Sequence, residues 1–169
     1  MAGSDCTSAL GAAAVDVRPA LLALGVLSAQ SSVQSRRWLR RHFARLPIST
    51  GWHWHFVLGT PSRESLPCWR LCFHPDNGQE AQAARLIAAQ CASLAAEQAD
   101  SHDLLFVPAA DNEAVGCIDK SFAWFSHATL AYPRARYVAV TQDDAVVFPP
   151  NLEPVLQELR PHRLVCELP

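Results

Sequence analysis

Two adjacent carboxylates, Asp143 and Asp144, stand between two apolar runs in the stretch Tyr137 to Pro150, which reads YVAVTQDDAVVFPP. Carboxylates in such company are costly to bury unless something positive compensates them. A divalent cation carrying a phosphorylated ligand is one answer, because hard oxygen donors suit Mg²⁺ or Mn²⁺. A solvated turn between two hairpin strands is the other, since Asp is common in turns. Cys68, Cys72 and His74 form a CxxxCxH cluster that could start a zinc site, but no second pair follows at a finger-like spacing. Arg36, Arg37 and Arg40 make a basic cluster. Guanidinium suits phosphate, and the plain alternative is a solvated basic face. His53, His55 and His127 read as strand-surface or helix-face residues, and Trp52 and Trp54 as core or sheet-edge residues.

These side chains must be held by elements, and the elements alternate. Ala20 to Ser28 is an apolar run of the kind buried on both faces of a sheet. After a polar connection to Ser35, Arg36 to Arg45 reads as a helix with Trp38 or Leu39, Phe43 and Leu46 on one face, ended by Pro47. Trp52 to Gly59 is a second strand. Thr60 to Gly78 is a proline-rich loop. Gln79 to Asp100 is an alanine-rich helix with Ala83, Ile87, Cys91 and Leu94 on one stripe. Asp103 to Val107 is a third strand, and Gly116 to Tyr132 a helix on which Ile118, Phe122, Phe125 and Thr129 line up. Tyr137 to Gln142 is the fourth strand, and Asn151 can cap a short helix through Leu159. Leu164-Val165-Cys166 begins a further apolar run. Strand–helix alternation predicts a mostly parallel sheet covered by helices on both faces. Ligands in such sheets bind at the carboxyl ends of the strands, where Asp143 and Asp144 fall.

The bulk figures fit one globular domain of 169 residues, half of them hydrophobic and 18% charged. A formal net charge of −2 gives no global pull toward nucleic acid or anionic membrane. Six scattered cysteines without a CxxC pair read as free thiols. No segment has the roughly 18 to 20 uninterrupted apolar residues that a membrane helix needs. Ala9 to Ala29 comes closest and is broken by Asp16, Arg18 and Pro19. No signal peptide is expected, and residues 1–18 read as a variable lead-in before a domain spanning 19–169.

The ordered set of segments resembles the β-1,3-galactosyltransferase-like hexosyltransferases, which include the fringe-type enzymes. Ser35 to Phe43 resembles the family's early RR-x-x-IR-x-TW helix, and Phe56-Val57-Leu58-Gly59 its F-L-L-G strand. Asp103-Leu104-Leu105 with Asp111-Asn112 resembles the D-I-L and D-S-Y-x-N-L-T-L-K-T segments. Tyr137 to Val146 resembles Y-V-x-K-x-DDD-V-F-V. Together they cover about residues 20 to 160.

The resemblance implies a GT-A-like α/β domain that binds a UDP-sugar and transfers the sugar to a glycan hydroxyl with inversion. By position, Asp144 would be the direct ligand of Mn²⁺ or another divalent cation, and Asp143 would orient the ribose or a metal-bound water. Arg36, Arg37 and Arg40 would lie near the nucleotide. Asp111 matches the Asp of D-S-Y, with helix capping as its alternative role. Lys120 matches the family's Lys if one residue is inserted. The implied partners are a UDP-sugar donor and a glycan, glycoprotein or glycolipid acceptor, with no nucleic acid, and the implied location is the Golgi membrane. Gln142 departs from the pattern by standing where the family usually has its first Asp. The family's enzymes also continue past the acidic motif to a proposed general base, and carry an N-terminal anchor. The chain is therefore expected to be the donor-binding part of a transferase, truncated at its C-terminus. The rival reading is a non-catalytic interaction module that keeps the fold. A phosphotransfer domain using Asp143 as nucleophile fits less well. Such domains place their acidic cluster after the first strand, which here gives Ser28-Ala29-Gln30.

Overall fold

A computed structural model describes residues 19–47, 51–60, 79–109, 111 and 116–159, with the backbone alone at 79–81 and 83. The lead-in, most of the proline-rich loop with its CxxxCxH cluster, and Leu164-Val165-Cys166 lie outside the described residues.

The first strand, β1 (Ala20–Leu27), is buried along almost its whole length, as its continuous apolar run requires. The chain turns at Gln30 and Ser31 and enters α1 (Val33–Phe43), three residues ahead of the expected start at Arg36. Val33, Gln34 and Ser35 include no helix breaker, so the turn sets the boundary and the polar composition does not. Leu39 and Phe43 face the core, whereas Trp38 is 47% exposed. β2 (Trp52–Gly59) follows, then α2 (Gln79–Ser101), which seats Leu94 in the core and leaves Ile87 and Cys91 half-buried. Cys91 is disulfide-bonded, which corrects the expectation of free thiols throughout; Cys117 is free.

β3 (Leu104–Val107) leads into α3 (Gly116–Ala131). Here the apolar stripe misleads. Ile118, Phe122 and Phe125 are exposed, Phe122 by 70%, and the buried side is Gly116, Lys120, Trp124, Ala128 and Ala131. Both sides of this helix are apolar enough to pass for a core face, and the buried one is interrupted by a lysine. β4 (Ala135–Gln142) runs into a turn at Asp143 and Asp144, and Ala145 to Phe148 continues without regular structure. The two prolines then open α4 (Pro149–Glu158), because Pro suits a helix's first turn, where its missing N–H costs no bond.

All four strands are parallel, in the order β3-β2-β1-β4. The alternation of side chains along each strand splits the core in two. On one face Leu22, Leu24, Val26, Phe56, Leu58 and Tyr137 pack with Leu39 and Phe43 of α1, Leu94 of α2 and Leu156 of α4. On the other, Ala23, Leu27, Val57, Leu105 and Val107 pack under α3 through Trp124, Ala128 and Ala131. Trp124 is fully buried and donates its Nε1–H to the carbonyl of Ala139 at 2.8 Å. Its ring lies over Gly25, where a Cβ would stand 2.6 Å from the nearest ring atom. Only glycine lets α3 sit this close to β1.

A candidate ligand cleft at the sheet's switch point

Chain order moves from β1 to β2 to β3 in one direction, then jumps back past β1 to β4. At such a reversal the two flanking connections part and leave a crevice at the carboxyl ends of the strands. A cavity of about 370 Å³ occupies that position, lined by Leu27, Ser28, Ala29, Ser32, Asp111, Cys117, Lys120, Gln142, Asp143 and Asp144.

The strand ladder sets the acidic wall. Leu27 is in register with Gln142, and the Asp143 N–H continues the pairing by donating to the Leu27 carbonyl at 3.0 Å. Ser28 therefore comes beside Asp143, and its hydroxyl donates to Asp143 Oδ2 at 2.6 Å. The hydroxyl is the donor because a carboxylate only accepts, and the Ser28 oxygen in turn accepts from Arg36 Nη1 at 3.0 Å. Asp144, next in the turn, is exposed and directed to the cavity. The free edge of Asp143 and the whole of Asp144 are thus left for a ligand.

The opposite wall is built by Asp111 and Lys120. Asp111 Oδ2 accepts from the Gln30 N–H at 2.6 Å and Oδ1 from the Gly59 N–H at 3.3 Å, which ties together the ends of β1 and β2. Lys120, one turn ahead of Trp124 on α3, donates to Asp111 Oδ1 at 2.9 Å and to the Ser28 carbonyl at 3.1 Å. Both side chains are nearly buried. Asp111 and Lys120 were both read from the sequence as site residues, and they meet in one ion pair at the cleft.

The three arginines are distributed differently, and none lines the cavity. Arg36 is fully buried, and all five of its N–H donors have partners: Glu97 twice, the Ser28 hydroxyl and the carbonyls of Ala29 and Gln30. Arg40 pairs with Asp103 through two bonds of 2.7 Å and with Glu97 at 2.7 Å. Arg37 lies exposed on α1, along a groove shared with α2. Burial alone would raise the Glu97 carboxyl, but hydrogen bonds from Arg36 and Arg40 outweigh it and hold the group below its ordinary range. Burial likewise opposes the charge on Arg40, and the bonds to Asp103 and Glu97 raise it nonetheless. Ser28, Gln30 and Glu97 were not singled out by sequence. Ser28 carries a legible mark as the first polar residue after a buried strand, whereas Glu97 has no sequence mark that separates it from a solvated helix carboxylate.

The cleft lining carries three carboxylates, Asp111, Asp143 and Asp144, against one ammonium, Lys120. With Asp111 and Lys120 paired, an excess of two negative charges faces the cavity from one wall. That balance favours a cation. Among the described residues no three His, Cys, Asp or Glu side chains converge to cage a metal. Asp143, Asp144 and the Gln142 amide are hard oxygen donors, and they fit an ion of the Mg²⁺ or Mn²⁺ kind that keeps waters and ligand oxygens in its shell. No protein-family model matches the chain, and no curated protein matches it either. Among the described residues no helix is long and apolar enough to cross a membrane.

Proposed function

We propose that the cleft is the donor-binding site of a hexosyltransferase of GT-A-like fold, which takes a UDP-sugar with a divalent cation and transfers the sugar to a glycan hydroxyl. The observation that carries this reading is the position of Asp143 and Asp144. They stand at the carboxyl end of β4, at the switch point, with excess negative charge facing a cavity of about 370 Å³. The resemblance of the ordered motifs supports the same assignment. A cation bound there would neutralise the diphosphate and assist its departure.

The chain's own residues do the positioning. Ser28 holds one oxygen of Asp143, so that its other oxygen is presented to the cavity beside the exposed Asp144. Lys120 is held between Asp111 and the Ser28 carbonyl, a single positive charge opposite that edge. Arg36 acts from beneath by clamping Ser28, Ala29 and Gln30, and its role is to position the cleft floor rather than to touch a ligand. The disulfide at Cys91 is the kind of bond that persists in an oxidising compartment, which agrees with a Golgi location.

The test is calorimetric titration of the chain with UDP in the presence and absence of Mn²⁺. UDP is expected to bind only with Mn²⁺, and Asp144→Ala to weaken binding by at least about 100-fold, the scale of losing a charged metal ligand. Binding that ignores both the metal and the substitution would overturn the assignment. The second reading, a module that binds without turnover, is favoured by Gln142, which brings no charge to the cavity wall. Gln142→Asp strengthens Mn²⁺-dependent UDP binding if the first reading is right, and leaves it unchanged if the cleft serves another ligand.

A further inference from the structure

On the outer side of α1, away from the cleft, Trp38, Arg41, His42 and Arg45 enclose a separate hollow of about 220 Å³. The indole of Trp38 stacks on the His42 ring, with centroids 5.2 Å apart and planes 7° from parallel. His42 is in turn fixed by Phe148, which meets it edge-on at 5.3 Å, and by a 3.2 Å contact between Nε2 and the Val147 carbonyl. Trp38 is therefore a braced aromatic plate, stacked on imidazole and half-exposed at the hollow. Beside it stand two cations. Arg41 uses its Nε–H on the Arg37 carbonyl at 3.2 Å, which leaves its terminal nitrogens free, and Arg45 stands in the turn just past the helix end. Among the described residues no carboxylate pairs with either guanidinium.

Like charges one helical turn apart repel. A cation near a helix C-terminus gains from the macrodipole, which accounts for one arginine here. It accounts for neither the second nor the half-exposed indole stacked on His42 beside them. Two guanidinium groups and a half-exposed indole lining one hollow make a site for a planar or ring-shaped group that carries an oxyanion. The small enclosure favours a single substituted sugar ring over a long acidic peptide, and the chain's net charge of −2 argues against a broad nucleic-acid or membrane surface.

We propose that this hollow binds a sugar bearing a sulfate or phosphate ester, with the ring against Trp38 and the ester oxygens on Arg41 and Arg45. It is independent of the donor cleft and does not use Asp143 or Asp144.

Calorimetry decides it with four probes: glucose 6-sulfate, glucose 6-phosphate, a polyglutamate peptide, and phosphatidylserine–phosphatidylcholine vesicles. Either sugar ester is expected to bind, more weakly as salt rises, and which of the two binds tells sulfate from phosphate. Arg41→Gln with Arg45→Gln is expected to weaken that binding by more than about ten-fold, and Trp38→Ala by a comparable factor. All three side chains are at the surface, and an unchanged melting temperature confirms that these variants fold. Asp144→Ala should leave the sugar-ester binding intact, which separates a failure of this site from a failure of the donor cleft. The proposal is overturned if neither ester binds, if binding survives the substitutions, or if the peptide or the vesicles bind as tightly as the sugar esters.

Discussion

With all five donors engaged and its side chain out of contact with water, Arg36 is a charge that the fold has to keep matched. Removing one partner of a buried pair typically costs about 3–5 kcal/mol when the other charge is left unpaired. Glu97→Ala, which takes away the carboxylate bonded to Arg36, is expected to fall in that range by urea denaturation. Arg36→Ala combined with Glu97→Ala should cost less than the sum of the two single changes, because the double variant leaves no lone charge. Additive costs would mean that the pair is not coupled. At this scale the sequence was partly readable. Asp143 and Asp144 are recognisable because paired carboxylates between apolar runs break a pattern, whereas Asp111 and Lys120 are reached only through the motif resemblance. The arginines were recognisable as a cluster but not as individuals. Whether a guanidinium faces ligand, solvent or Glu97 depends on a partner 61 residues away, and no local spacing encodes that.

The elements themselves follow from hydrophobic periodicity, and α3 shows where that signal fails. Ile118, Phe122 and Phe125 satisfy a helical stripe as well as Trp124, Ala128 and Ala131 do. What decides between them is the sheet below, where Gly25 leaves room for one large ring and the β1 and β4 edges offer Ala139 as an acceptor for its N–H. A tertiary fit of that kind overrides an equal local preference. Phe122→Ser is accordingly expected to change stability by no more than about 0.5 kcal/mol, the range of ordinary surface substitutions. A loss of several kcal/mol in the same denaturation experiment would mean that this face is covered. Boundaries behaved similarly. β2 matched its expected span because its aromatic and β-branched residues are bracketed by glycines, whereas α1 and α4 began early, where a turn and a proline pair decide the first helical residue.

For the whole molecule, the alternation of strand and helix was enough to give a parallel sheet with helices on both faces, but not the strand order. That order rests on β4 returning past β1, a pairing between residues more than a hundred positions apart, and the cleft exists only because of it. The molecule as a unit should also be acid-sensitive. Burial, with the nearby His127 adding to it, lowers His55 from 6.5 to about 4, and its Nε2 is hydrogen-bonded with the Tyr132 hydroxyl. The folded state binds this proton less readily than the unfolded chain, so stability is lost as pH falls from about 6.5 toward 4. The loss amounts to roughly 2–3 kcal/mol between pH 7 and pH 4.5. Glu97, held low, adds a loss of the same sign as it protonates. Urea midpoints at the two pH values should differ accordingly, and His55→Phe should flatten the difference. An unchanged slope would remove His55 as the cause. A last consequence concerns Gly25 and the height at which α3 rides on the sheet. Lys120 reaches the cleft from the helical turn just before Trp124, so the reach of its ammonium is calibrated by a bare patch of backbone three residues upstream of Ser28. In a map of tolerated variants, Gly25 would score like a ligand-contacting position although it touches no ligand. A genetic scan would therefore place part of the cleft's phenotype on the far side of the sheet's wall.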